Sequence, residues 1–152
     1  MKKRTFFLVI VLLALFQATL LQFFRIGNVK PDLLLICAVF SGLLFELKYA
    51  LFFSLVLAFL KDALAVHIFA PHIFYFPLLA LLTNLLAKKV PIETTAIRIG
   101  LIFFAVILVN LLKKFIQFSA ENYMALGIYL RVTFLEAIYT ALVSPLIYKI
   151  IR

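Results

Sequence analysis

Lys30-Pro31-Asp32-Leu33-Leu34-Leu35 stands between two long apolar runs, one ending at Phe24 and the other continuing without a charge to Glu46. Its position predicts that it closes one membrane span and opens the next. Pro31 suits the first turn of a helix, where φ is already set and a missing N–H costs nothing. Asp32 sets a negative charge at the positive end of that helix dipole. Taken alone, these residues describe a helix start at a membrane surface.

The surrounding chain is too apolar for a soluble domain. Of its 152 residues, 67% are hydrophobic and 14% are charged. An ordinary soluble domain is about 45–50% apolar. Mean hydropathy is +1.23, so the bilayer must serve as part of the solvent. The net charge of +9 would suggest nucleic acid in a soluble protein. Here the Lys and Arg flank apolar runs, as topology signals do, and no nucleic-acid partner is expected. Cys37 is the only cysteine. An intramolecular disulfide and a cysteine metal cluster are both excluded. Lys2-Lys3-Arg4 is followed by an apolar run to Phe24, broken by Gln17, Thr19 and Gln22. That run is too long for a signal-peptide core and lacks a small-x-small cleavage site, so it reads as an uncleaved first span.

A spanning helix needs about 20 mostly apolar residues. The expected architecture is an all-α, six-transmembrane-helix bundle forming a single domain, with spans at 5–24, 31–45, 49–65, 70–87, 96–118 and 126–151. Six spans put both termini on one side. That side carries Lys2, Lys3, Arg4, Lys48, Lys88, Lys89, Arg98, Lys149 and Arg152. The other carries Arg25, Lys30, Lys61, Lys113, Lys114 and Arg131. Cytoplasmic loops hold the excess of Lys and Arg, so both termini are expected in the cytoplasm.

Helices in lipid associate through small residues and through polar side chains. The clearest such stripe is Thr133, Ala137, Thr140, Ala141 and Ser144 in the last span, beside Glu136. Gln17, Asp62 and Asn84 are polar positions in other spans. Ionisable residues within spans are functional candidates, and also pair with one another to hold helices together. Lys61 adjoins Asp62 in sequence, but neighbours on a helix do not face each other. Asn110, Lys113, Lys114 and Gln117 form a polar stripe at the outer end of the fifth span. It reads either as an amphipathic surface for a partner or as helix turns leaving the bilayer with snorkelling lysines. His67 and His72 flank Pro71 without a third ligand nearby, so no metal site is expected. No phosphate loop, nucleophile elbow or zinc-protease signature occurs; no catalytic residue, cofactor site or enzymatic activity is expected.

Four short segments occur in order: Gln17-Ala18-Thr19-Leu20-Leu21, Pro31-Asp32-Leu33-Leu34-Leu35, Phe59-Leu60-Lys61-Asp62, and Leu135-Glu136-Ala137 with Pro145 following. In this order the chain resembles the MreD family of rod shape-determining membrane proteins, over nearly its whole length. The Pro-Asp-Leu-Leu-Leu element is the most specific part. The stretch around Asp62 departs from the family, which carries more glycine there. The resemblance implies a fold similar to the six-helix substrate-binding subunits of energy-coupling-factor transporters. It also implies a non-enzymatic subunit of the bacterial elongation (Rod) complex in the inner membrane, without a cofactor. Its partners would be MreC directly, then MreB, RodA and the transpeptidase partner of RodA within the complex, and membrane lipids. Gln17, Pro31, Asp32, Asp62, Asn84 and Glu136 are then candidates for partner contact or for the polar core of the bundle. Asp32 is expected at the outer surface, within reach of MreC, so that Asp32→Ala leaves the bundle stable and weakens that association. Two other functions stay open. One is a vitamin-like small-molecule binding subunit of a transporter; the other is a lipid-handling protein whose outer cations meet phosphate headgroups.

Overall fold

The computed structural model describes residues 3–19, 23, 29–64, 72–117 and 125–151. They form six helices: α1 (Lys3–Thr19), α2 (Leu33–Leu44), α3 (Leu47–Leu64), α4 (His72–Lys89), α5 (Thr95–Gln117) and α6 (Leu126–Ile151). No strand forms among the described residues. One helix overlaps each expected span, with α1, α3 and α5 starting one or two residues earlier and α4 ending two residues later than expected. The expected span ends at 20–22, 24, 65, 70–71 and 118 lie outside the described residues.

The bundle is built around α2. Its sequence, LLLICAVFSGLL, is apolar on nearly every face, as suits a helix buried in a protein core or in lipid. Every residue from Leu33 to Gly42 is buried, and α2 touches all five other helices. Its 12 residues reach only about 18 Å at a rise of 1.5 Å per residue. The hydrocarbon layer of a bilayer is about 30 Å thick, so α2 is an inner axis shorter than that layer.

A buried helix must satisfy the backbone groups at both its ends. At the N-terminus Asp32 is the cap, and its carboxylate accepts from the Leu35 N–H at 3.1 Å. Gln17 of α1 accepts from the Leu34 N–H at 3.1 Å. Thr140 of α6 accepts from the Asp32 N–H at 3.1 Å. Pro31 therefore precedes the cap and does not stand in the first turn, as its residue type had suggested. At the C-terminus the Asn84 amide of α4 donates to the carbonyls of Gly42 at 2.9 Å and Phe45 at 3.0 Å. Gly42 is where α2 and α4 approach most tightly. A Cβ there would collide with Thr83 Oγ1 and come within 2.6 Å of the Ala80 carbonyl oxygen.

α3 packs with α4, and α5 with α6, as neighbouring pairs. Phe103 of α5 meets Phe134 of α6 edge-on at 5.6 Å. The α6 stripe Thr133, Ala137, Thr140, Ala141 and Ser144 is buried throughout. Phe6 of α1 stacks edge-on against Phe45 and Phe53, at 4.9 and 5.0 Å. The outer faces carry large apolar side chains, among them Leu8, Phe52, Phe74, Phe104, Phe115 and Leu142. Among the described residues, two helices are long and apolar enough to cross a membrane: α5 over Thr95–Phe115, mean hydropathy 2.3, and α6, mean hydropathy 1.5. Only 28% and 33% of these stretches are buried in the bundle. Their apolar character therefore serves mainly the outside of the molecule.

Candidate functional site

At the end of the bundle that holds the start of α2, the helices leave a cavity of about 340 Å³. Gln17 and Ala18 of α1 line it, with Lys30, Pro31, Asp32 and Leu34 at the head of α2. Lys61 and Leu64 come from the end of α3, His72 from the start of α4, Lys113 from the end of α5, and Glu136 from α6. All six helices or their flanks contribute, so the site exists only in the assembled bundle.

Charges in an apolar bundle need partners, because an uncompensated buried charge is very costly. The partners here come from far apart in sequence. The Lys61 ammonium donates to Asp32 Oδ2 and forms an ion pair with it. Both side chains are largely buried, at 15% and 4% exposure, so solvent screens the pair weakly. Lys61 also lies 5.3 Å from the centre of the Phe76 ring. Its neighbour Asp62 turns to the other side and meets His72 Nδ1 at 2.5 Å. Asp62 Oδ2 and His72 Nε2 are buried and have no hydrogen-bond partner among the described residues. Glu136 accepts from the Asn110 amide at 2.9 Å, and the Tyr129 hydroxyl donates to the Asn110 carbonyl. No carboxylate among the described residues lies within ion-pair distance of Lys113.

Of the residues singled out from sequence, Gln17, Pro31, Asp32, Lys113 and Glu136 line this cavity, and Asp62 backs it through His72. Asn84 is at the opposite end of α2, where it caps that helix. Asp32 is not at an outer surface: it is 3% exposed and its carboxylate is occupied by Lys61 and the Leu35 N–H. Of the two roles expected for Asp32, partner contact and polar core of the bundle, its burial and its bonds to Lys61 and the Leu35 N–H favour the second. The polar stripe of α5 also turns inward rather than lying along the surface. Asn110 is buried against Glu136, Lys113 faces the cavity, and Lys114 lies over the Tyr129 ring at 4.5 Å. The Gln117 side chain and His67 lie outside the described residues.

The sequence reading missed the pairing of Lys61 with Asp32 and the role of His72. The adjacency rule did carry a signal, since it separates Lys61 from Asp62. The true partners stand 29 and 10 positions away, and no local spacing points to them. Among the described residues no group of three His, Cys, Asp or Glu side chains could hold a metal. The cavity offers ammonium groups and carboxylates together, an arrangement suited to holding charge of either sign. Compared with protein-family models, with curated proteins and with solved structures, the chain matches none.

Proposed function

We propose that the chain is a six-span protein of the bacterial inner membrane, with both termini cytoplasmic. In this reading it acts as a non-enzymatic subunit of the Rod elongation complex, binds MreC, and helps guide side-wall peptidoglycan synthesis alongside MreB, RodA and the transpeptidase partner of RodA. One observation carries the reading. The four sequence segments behind the resemblance to the MreD family are scattered from Gln17 to Glu136, yet Gln17, Asp32, Lys61 and Glu136 line a single cavity. Polar residues of an apolar bundle tend to gather inside it; the reading is supported by all four segments doing so at one site. The apolar exterior supports a membrane setting, because soluble proteins rarely expose such wide apolar faces.

The cavity also favours a second reading, a small-molecule binding subunit of an energy-coupling-factor-type transporter. Its volume of about 340 Å³ is at the small end of the roughly 300–1,000 Å³ typical of ligand pockets. Such pockets are lined mainly by apolar and aromatic groups with a few polar ones. Lys30, Asp32, Lys61, Lys113 and Glu136 give this wall far more charge than such pockets carry, which favours a structural or coupling role over capture of a vitamin ring. Crosslinking in native membranes followed by purification separates the two. The elongation reading expects MreC in the eluate. Recovery of an ATPase module with a bound vitamin, and no MreC, would replace it with the transporter reading.

A further inference from the structure

A second concavity lies at the other end of the bundle. It has a volume of about 700 Å³ and runs between the first turns of α1 and α3. Phe7, Leu8, Phe52 and Phe53 form its walls, and Lys3, Arg4, Lys48 and Tyr49 form its rim. The wall is hydrocarbon, and Phe7, Leu8 and Phe52 are exposed there. The rim carries three cations and no carboxylate, and Glu46 just before α3 is not part of the lining. The two halves of the rim are fixed to each other by the Lys3 ammonium, 3.2 Å from the centre of the Tyr49 ring. Both helices also begin here, so two positive dipole ends add to the field.

We propose that this groove holds one anionic phospholipid, its phosphate headgroup on Lys3, Arg4 and Lys48 and one acyl chain along Phe7, Leu8 and Phe52. The inference uses the membrane setting but is independent of the elongation complex. The charge argument selects the occupant. A transmembrane helix from a partner would cover the apolar wall and leave three cations unmatched, whereas a phosphate with net negative charge answers both features. Basic residues near an anionic leaflet each strengthen such binding. On the proposed topology this end faces the cytoplasm.

The test uses the full chain, delipidated in detergent, with phosphatidylglycerol and phosphatidylcholine of identical acyl chains as probes and native mass spectrometry as the readout. Retention of one phosphatidylglycerol, preferred about tenfold or more over phosphatidylcholine, is expected. K3Q/R4Q/K48Q should bring the preference to within about twofold, while K88Q/K89Q, with its cations exposed on α4, should keep it. Leu8→Trp leaves the charges and fills the groove, and should also expel the lipid. Circular dichroism of each variant checks that the helices persist. An unchanged preference in the triple variant overturns the proposal. So does a preference that survives Leu8→Trp, or a polypeptide crosslinked at position 8 in place of lipid.

Discussion

Asp32 joins three helices through one residue. Its carboxylate caps α2 and holds Lys61 of α3, and its amide donates to Thr140 of α6. Removing one member of a buried ion pair leaves the other uncompensated, which typically costs about 3–5 kcal/mol, and losing an N-cap adds about 1 kcal/mol. Asp32→Ala is therefore expected to destabilise the bundle by several kcal/mol, measured by reversible unfolding in mixed micelles. Asp32→Asn keeps an acceptor for the Leu35 N–H and loses the charge, so it should fall between parent and Asp32→Ala. Asp32→Ala combined with Lys61→Met removes both charges and should recover much of the loss, because an apolar pair is often as good as a buried ionic one. Additive losses in that double variant would show that the pair contributes nothing. From sequence Asp32 was legible as a helix-start residue and, through the resemblance, as a candidate for partner contact or for the polar core of the bundle. Its surface position was the natural expectation, because the enclosing groups come from α1, α3 and α6, and no local pattern announces them.

Among the elements, α2 was the most legible and also the most misleading. Its composition identified an apolar span, and its start was readable from Pro31 and Asp32; its enclosure by the other helices was not legible. Its shortness was readable too, but not the consequence that it forms an inner axis capped at both ends by other helices. The stripe on α6 was legible because spacing of three and four carries through Thr133, Ala137, Thr140, Ala141 and Ser144, and all five are buried. Gly42 gave no signal, since a glycine inside an apolar run has many explanations. Its neighbours supply the reason: Thr83 and the Ala80 carbonyl leave no room for a methyl group. Gly42→Ala is expected to push α2 away from α4 and strain the Asn84 cap, at about 1–3 kcal/mol, the usual range for overpacking. Gly100 of α5 has nothing within 4 Å of its missing Cβ. Gly100→Ala should be neutral or stabilising by up to about 1 kcal/mol through helix propensity. The same unfolding measurement on both variants decides the matter: equal effects would mean that the α2–α4 approach is not tight.

At the scale of the whole molecule, the six apolar segments were readable in the sequence, and so was the asymmetry of Lys and Arg between the two sides. That Lys61, Lys113 and Arg131 fall within spans rather than loops was readable too; that Lys61 and Lys113 meet in one cavity was not. Lys61 and Lys113 point into a shared cavity, and a count of loop charges that includes them understates the asymmetry. Lys30 lines the same cavity, so a count of loop charges alone does not decide the orientation proposed above. The assignment can be tested with a membrane-impermeant thiol reagent on intact cells. Cys37 is the only native cysteine and is 0% exposed, so the parent protein should stay unlabelled. Asn28→Cys should react from outside, because the α1–α2 link belongs to the outer side in the six-span arrangement. Glu93→Cys, in the exposed α4–α5 link, should react only after permeabilisation. The opposite pattern would invert the bundle and move the charged cavity to the cytoplasmic face. Labelling of both positions in intact cells would mean that the segments between them do not return across the membrane, and the six-span arrangement would have to be abandoned.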